Sequence, residues 1–151
     1  MFRDSPIGEV AGIASRLSLR AVQLHGAEDR DYVQALRRDL PSDCEIWTAR
    51  SVGRDALDDV GGDRLLFDHG SGGSGRAFDW SLIERHPGLA RSLIAGGIGA
   101  HNARAARSLG AYAIDVGSSV DLQPGRKSPE KIAGLFESLR SDCRDRLRAC
   151  A

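Results

Sequence analysis

The sequence predicts an α/β fold built around a parallel sheet, and three observations support this prediction. Short apolar segments alternate along the chain with segments whose apolar residues recur at helical spacing. Successive strand–loop–helix segments follow one another at nearly regular intervals of about 20–30 residues. Each predicted strand is followed closely by Gly, Asp, His or Ser. Such alternation is typical of βα units, in which helices cover a parallel sheet.

Length and charge limit the classes of function. A chain of 151 residues is most simply one domain. Its 21 basic and 21 acidic residues cancel, which argues against a nucleic-acid partner or an anionic membrane surface. No apolar run approaches the about 20 residues of a membrane span. Three widely separated cysteines suggest neither a disulfide framework nor a zinc site, so a cytoplasmic, reducing location is expected.

In the first part of the chain, helix and strand signals alternate. Asp4, Ser5 and Pro6 form a start signal for the first helix, Pro41 ends the second, and Gly61 follows the third. The predicted helices are residues 7–17, 28–40 and, weakly, 54–60, and the predicted strands are residues 21–24, 45–49 and 65–67.

The second part of the chain continues the alternation. A Pro124-Gly125 turn separates the last strand from a final amphipathic helix. The predicted helices are residues 80–84, 101–109 and 129–139, and the predicted strands are residues 93–95 and 112–116. We therefore expect a folded domain over residues 1–140 and a polar C-terminal extension over residues 141–151.

The predicted strand at residues 65–67 delivers Asp68 into a glycine-rich loop. Residues 70–75 contain four glycines, which permit positive φ and close approach of the backbone to another group. Asp79 is well placed to cap a short helix after the loop. One interpretation is a flexible connector with a solvated aspartate. The other is a catalytic carboxylate at the carboxyl end of a parallel strand, beside a mobile loop that closes over a ligand.

Glycine and serine follow the last two predicted strands, as Gly96-Gly97 and as Gly117-Ser118-Ser119. In a (β/α)₈ barrel these two loops form the usual phosphate cradle, because glycines expose backbone N–H groups and serines add hydroxyl donors. A doubly wound open sheet is the alternative, but it places its glycine-rich turn after the first strand. The order of the loops favours a barrel.

Several motifs occur in collinear order over residues 1–140. They are residues 22–26 (VQLHG), 67–68 with 72–75 and 78–80 (FD, GGSG, FDW), 95–98 (AGGI), 115–120 (DVGSSV) and 124–127 (PGRK). Together these motifs resemble one family, phosphoribosylanthranilate isomerase of tryptophan biosynthesis. The similarity is strongest to the isomerase half of enzymes that are fused to indole-glycerol-phosphate synthase.

The resemblance implies an isomerase that performs an Amadori rearrangement of a phosphosugar substrate without a metal or an organic cofactor. Asp68 would be the general acid, and partial burial would help it to keep its proton until the substrate arrives. Residues implied in binding the substrate or its phosphate are His25, Gly72, Gly73, Gly96, Gly97, Asp115, Gly117, Ser118 and Ser119. For His25 a packing role is an equal alternative.

The sequence departs from the family pattern in its catalytic base. The family uses a Cys in a Lys-x-Cys-Gly segment on its first strand, and the 151 residues contain no such segment. A substrate-binding Arg of the second βα loop is missing too. Cys44, Cys143 and Cys150 lie where they cannot replace the base. We therefore expect units three to eight of the barrel, with Met1-Phe2 at the end of the third strand.

An incomplete barrel is expected to need an N-terminal barrel fragment or self-association, because its sheet edges would be exposed. Alone it would be inactive as an isomerase. A second hypothesis is a non-catalytic fragment or pseudoenzyme that retains a sugar-phosphate pocket. A third is another phosphate-binding barrel enzyme, such as an epimerase or the synthase itself, but Phe78-Asp79-Trp80 after the glycine loop argues against it.

Overall fold

The computed structural model describes residues 1–53, 57–70 and 77–149, with side chains through residue 140. These residues form two compact units, Met1–Phe67 and Asp68–Ala151. Within the part of the chain that is described, no helix combines the length and the apolar character that crossing a membrane requires.

The first unit alternates helices and strands, as the apolar periodicity predicts. Its β1 and β2 are parallel, with Ala21 opposite Glu45 and Leu24 opposite Thr48. The order β1-β2-β3 runs across the sheet. Phe2 forms a single parallel bridge to Leu24, so the expected strand end at Met1-Phe2 is limited to that bridge. The elements are α1 (Ile7–Arg16), β1 (Ala21–Leu24), α2 (Arg30–Asp39), β2 (Glu45–Ser51) and β3 (Arg64–Asp68).

A continuous apolar core holds the first unit together. The inward faces of α1 and α2 supply Val10 and Leu36, both fully buried, and β1 and β2 supply Leu24 and Ile46. Asp29 caps α2, because its carboxylate accepts a hydrogen bond from the Tyr32 N–H at 2.8 Å. The amphipathic helices therefore cover the parallel strands as the α/β prediction requires.

The second unit contains a parallel strand pair and an antiparallel hairpin. In β4 and β5, Leu93 lies opposite Ala113 and Ile94 opposite Ile114, in parallel register. Strands β6 and β7 pair antiparallel around the predicted Pro124-Gly125 turn. The elements are β4 (Leu93–Ile94), α3 (Ala103–Ser108), β5 (Ala113–Ile114), β6 (Asp121–Gln123), β7 (Arg126–Lys127) and α4 (Pro129–Ala149), with single 3₁₀ turns at Trp80–Leu82, Leu89–Arg91 and Ser118–Val120.

The structure corrects several predicted boundaries. Residues 57–60 are not helical, and residues 54–56 of the predicted weak helix lie outside the described residues. The last helix, predicted over residues 129–139, continues to Ala149 and so includes residues 141–149 of the expected C-terminal extension. Pro6, rather than Asp4 or Ser5, is the N-cap of α1, and it makes no side-chain capping bond. The parallel pairs and covering helices confirm the α/β fold class.

Candidate functional site

Asp68 is the last residue of β3, as the sequence predicts for a carboxylate at the carboxyl end of a strand. Its side chain is half-buried. Oδ1 accepts a hydrogen bond from the backbone N–H of His69 at 2.7 Å. The carboxylate is thus oriented by the first peptide of the loop that follows the strand.

Gly96 follows β4 and lies directly against Asp68. Gly96 has a φ of +81°, and a β-carbon there would be 2.7 Å from Asp68 Oδ1 and 2.8 Å from the His69 nitrogen. No side chain fits between these groups, so the glycine is required by both conformation and space. The structure therefore brings the predicted acid and the first predicted phosphate loop together.

Asn102 holds the turn that begins at Gly97. Its Oδ1 accepts a hydrogen bond from the Gly99 N–H at 2.9 Å, and its Nδ2 donates to the Gly97 carbonyl at 3.0 Å. Asn102 is not among the site residues predicted from the sequence. It falls in the first turn of the helix predicted over residues 101–109, and a polar residue at a helix start is ordinary, so nothing in the pattern indicates its contact with the glycine turn.

The second predicted phosphate loop contacts the first through Ser119. The Ser119 hydroxyl donates to the Ile98 carbonyl at 2.5 Å, and the β-carbon of Ser119 is 3.1 Å from the position that a Gly99 β-carbon would take. Because its hydroxyl proton bonds to Ile98, the group that Ser119 can offer an anion is its backbone N–H. Ser118, beside it, is exposed.

The hairpin of β6 and β7 holds the backbone of Gly117 by a hydrogen bond. Lys127 Nζ donates to the Gly117 carbonyl at 3.0 Å and pairs with the Asp121 carboxylate at 2.6 Å. Asp115, just after β5, is exposed, and its N–H donates to the Ile94 carbonyl at 2.8 Å. Asp68, Gly96, Gly97 and Ser119 thus belong to one connected group of loops in the second unit.

His25 lies at the end of β1, in the first unit, and is half-buried. Its N–H donates to the Phe2 carbonyl at 2.9 Å, and its ring Nδ1 is 3.2 Å from the amide nitrogen of Gln23. The loop after it is held by Glu28, a carboxylate that is only 6% exposed. That carboxylate accepts from the Gly26 N–H at 2.7 Å and from the Asp4 N–H at 2.8 Å.

Two of the predicted binding residues, Gly72 and Gly73, lie in residues 71–76, outside the described residues. The end of that loop agrees with the prediction, since Asp79 caps the 3₁₀ turn by accepting from the Ser81 N–H at 3.1 Å. Cys44 is 1% exposed, and burial raises the pKa of its thiol. It precedes β2, as predicted, and a buried thiol of this kind is a poor base.

The chain is similar to known proteins of one family. The family model described as "N-(5'phosphoribosyl)anthranilate (PRA) isomerase" matches residues 1–138. The tryptophan biosynthesis protein TrpCF of Yersinia pestis is 46% identical over 144 residues, which cover 93% of this chain and 30% of that protein. TrpCF of Salmonella typhi is 44% identical over 143 residues, 93% of this chain and 31% of that protein. The chain thus spans about a third of these relatives' length.

Solved structures show the same similarity. The phosphoribosyl anthranilate isomerase of Thermus thermophilus superposes with a TM-score of 0.79 at 34% sequence identity, over 93% of this chain and 70% of that one. TrpF of Jonesia denitrificans superposes with a TM-score of 0.73 at 29% identity, over 91% of this chain and 68% of that one.

Proposed function

The chain belongs to the N-(5′-phosphoribosyl)anthranilate isomerase family, and we propose that it carries the general acid and the phosphate cradle of such an isomerase. The reaction is the rearrangement of N-(5′-phosphoribosyl)anthranilate to the aminodeoxyribulose phosphate in tryptophan biosynthesis. The observation that carries the proposal is the contact between Asp68 and Gly96, which joins a half-buried carboxylate to a glycine loop of the kind that binds phosphate.

In the proposed mechanism, Asp68 gives its proton to the ring oxygen as the bond between C1′ and that oxygen breaks. The nitrogen lone pair forms the C1′=N bond of an iminium ion. A base then removes the proton from C2′, the electron pair of that C–H bond forms the C1′=C2′ double bond, and the π pair of the C1′=N bond returns to nitrogen as its lone pair. The resulting enolamine tautomerises to the ketone. Acid catalysis of this kind contributes on the order of 10²–10⁴-fold to a rate.

The phosphate is proposed to bind between the two loops that follow β4 and β5. Backbone N–H groups at Gly96, Gly97 and Ser119 suit an anion, and the exposed Ser118 adds a hydroxyl donor. Gly117 is proposed to let its loop approach the phosphate closely, and Asp115 to line the same pocket. By the family resemblance, Gly72, Gly73 and His25 are also proposed to bind the substrate.

The base is proposed to come from residues other than these 151, because the sequence has no Lys-x-Cys-Gly segment. We propose that the chain supplies units three to eight of a (β/α)₈ barrel. Its match to 70% of the Thermus thermophilus isomerase supports this arrangement. The remaining units would belong to the same polypeptide or to a separate one. The cytosol is the proposed location, since the buried Cys44 thiol suits a reducing compartment.

A non-catalytic chain that keeps a sugar-phosphate pocket is the second candidate, and the missing Lys-x-Cys-Gly segment favours it. Both candidates predict phosphate binding, but only the isomerase predicts turnover. The two are separated by expressing the chain alone and with a fragment that carries the first two βα units of a homologue. Turnover is followed by the decay of phosphoribosylanthranilate fluorescence.

Asp68→Asn in the active preparation tests the role of the acid. We expect turnover to fall on the order of 10²–10⁴-fold, with little change in the temperature of unfolding. Asp43→Asn is the matched control, because Asp43 is an exposed aspartate whose side chain pairs with Arg20 at the surface. A loss below about threefold in Asp68→Asn would assign the acid elsewhere. Absence of turnover in every wild-type preparation would favour the non-catalytic candidate.

A further inference from the structure

We propose that Asn102 is a positioning residue for the phosphate cradle, holding the turn at residues 97–99 in its anion-binding conformation. This inference rests on the proposed function and deepens it. Asn102 itself need not touch the substrate. Its effect is exerted through the backbone of Gly97 and Gly99, which its side chain holds from the start of α3.

The two hydrogen bonds require an amide. Oδ1 accepts from the Gly99 N–H at 2.9 Å while Nδ2 donates to the Gly97 carbonyl at 3.0 Å. This pattern determines the orientation of the amide, because the reverse orientation would set donor against donor and acceptor against acceptor. An aspartate of the same shape keeps the acceptor and loses the donor.

The side chain makes these bonds in place of a helix cap. Asn102 is the N-cap of α3, a position where an Asn side chain usually accepts from a helical N–H, yet it makes no such capping bond. Its two polar atoms bond to the glycine turn instead. The role of Asn102 is thus directed at the loop rather than at the helix.

These contacts fix two successive peptide groups. Carbonyl and N–H of a trans peptide point in opposite directions, so fixing the Gly97 carbonyl also fixes the direction of the Ile98 N–H. The next peptide is held at both ends, because the Ile98 carbonyl accepts from Ser119 at 2.5 Å and the Gly99 N–H donates to Asn102.

Without this restraint Gly97 can turn its carbonyl away, because a glycine has no side chain to restrict its backbone dihedrals. Gly97 already has a positive φ of +64°. A rotation that reverses the Gly97–Ile98 peptide would place the Gly97 carbonyl oxygen where the Ile98 N–H stands now, next to the proposed donors Gly96 and Gly97. A carbonyl repels a phosphate oxygen, so Asn102 keeps the polarity of the cradle suited to an anion.

The test compares the full chain with Asn102→Ala, Asn102→Asp and Ser108→Ala, using inorganic phosphate as the probe in calorimetry. Ser108 is the control, because it is exposed on the same helix and its hydroxyl donates to the Arg104 carbonyl within that helix. We expect Asn102→Ala to weaken phosphate binding about tenfold, the equivalent of one or two hydrogen bonds. Ser108→Ala should bind as the wild type does.

Asn102→Asp separates positioning from a stabilising role. Aspartate has the same size and keeps the acceptor for the Gly99 N–H, so this variant should unfold no earlier than Asn102→Ala. It should nevertheless bind phosphate at least as weakly, since it lacks the Nδ2 donor and adds a negative charge. In the preparation complemented with the first two βα units, both variants should raise KM for the substrate more than they lower kcat, because Asp68 is unchanged.

Wild-type phosphate affinity in Asn102→Ala would overturn the inference and leave the proposed function standing. Affinities that simply follow the unfolding temperatures of the variants would also overturn it. A wild-type chain that binds no phosphate, alone or complemented, would refute the cradle itself and this inference with it.

Discussion

A β-carbon at Gly96 would lie 2.7 Å from Asp68 Oδ1, closer than real β-carbons approach an oxygen. The carboxylate at the end of β3 and the glycine turn after β4 therefore share one position that only glycine fills. A side chain added at Gly96 is therefore expected to displace both the proposed acid and the proposed phosphate loop.

Gly96→Ala is expected to lower turnover more than tenfold and to destabilise the chain by about 1–2 kcal/mol, because it adds a collision to a strained φ. Gly110→Ala is the matched control, since Gly110 has the same φ of +81° with nothing within 4 Å of its added β-carbon. Turnover and the free energy of unfolding in denaturant are measured for both variants. The difference between Gly96→Ala and Gly110→Ala gives the cost of the collision with Asp68. Equal effects at the two positions would show that the approach to Asp68 is unimportant.

Gly97→Asp is expected to abolish phosphate binding, because it puts bulk and negative charge into the proposed cradle. Calorimetry with inorganic phosphate measures the effect. Gly110→Asp provides the comparison, since it carries the same charge at a glycine of positive φ in open space. Unchanged affinity in Gly97→Asp would remove this loop from the phosphate site.

Glu28→Ala is expected to destabilise the chain by about 2–3 kcal/mol, because it leaves the Gly26 and Asp4 N–H groups without the carboxylate that they share. Glu28→Gln keeps one acceptor and should lose less. Glu9→Ala, on the exposed side of α1, is the control. Urea unfolding reports stability, and a loss equal to the control would show that the carboxylate does not hold the His25 loop.

Glu45 predicts a pH-dependent contribution to stability. Hydrogen bonds from the Arg64 guanidinium, and then from the Trp47 indole N–H, lower the pKa of Glu45 below its ordinary 4.5. A carboxyl whose pKa is lower in the folded state than in the unfolded state stabilises the fold at every pH above its unfolded-state pKa. This stabilisation is lost as the pH falls through its folded-state pKa. Glu45→Gln should therefore unfold more easily than the wild type near pH 7, and the difference should shrink as the pH falls through the lowered pKa of Glu45.

The effect of Glu45→Gln should be small, since the Glu45 side chain is 38% exposed and water screens the pair. Denaturant unfolding at a series of pH values, with Asp43→Asn as an exposed-carboxylate control, gives the comparison. A destabilisation that stays constant from neutral to acid pH would mean that the charge of Glu45 does not contribute.

Several features of the fold and site were predictable because their signals are local. Apolar spacing predicted α1, β1, α2 and β2. A helix or strand that buries a face places apolar residues at a regular spacing, and this spacing does not depend on which elements cover that face. Asp68 was recognisable as a strand-end carboxylate, and the glycines at positions 96 and 97 as a turn. Residues 57–60 were predicted as helix and are not, since a short, weakly apolar segment depends on contacts that the pattern does not contain.

By itself the sequence thus determined the alternating α/β order, the end of β3 at Asp68 and the glycine loops after β4 and β5. Tertiary structure alone decided the closeness of Gly96 to Asp68, the burial of Glu28, and the bonding of the Asn102 and Ser119 side chains to backbone groups. The physical reason is distance along the chain. The Ser119 hydroxyl bonds the Ile98 carbonyl, 21 residues earlier in the chain, and a contact of this kind leaves no periodic pattern in the sequence. The two groups meet only when the strands pack.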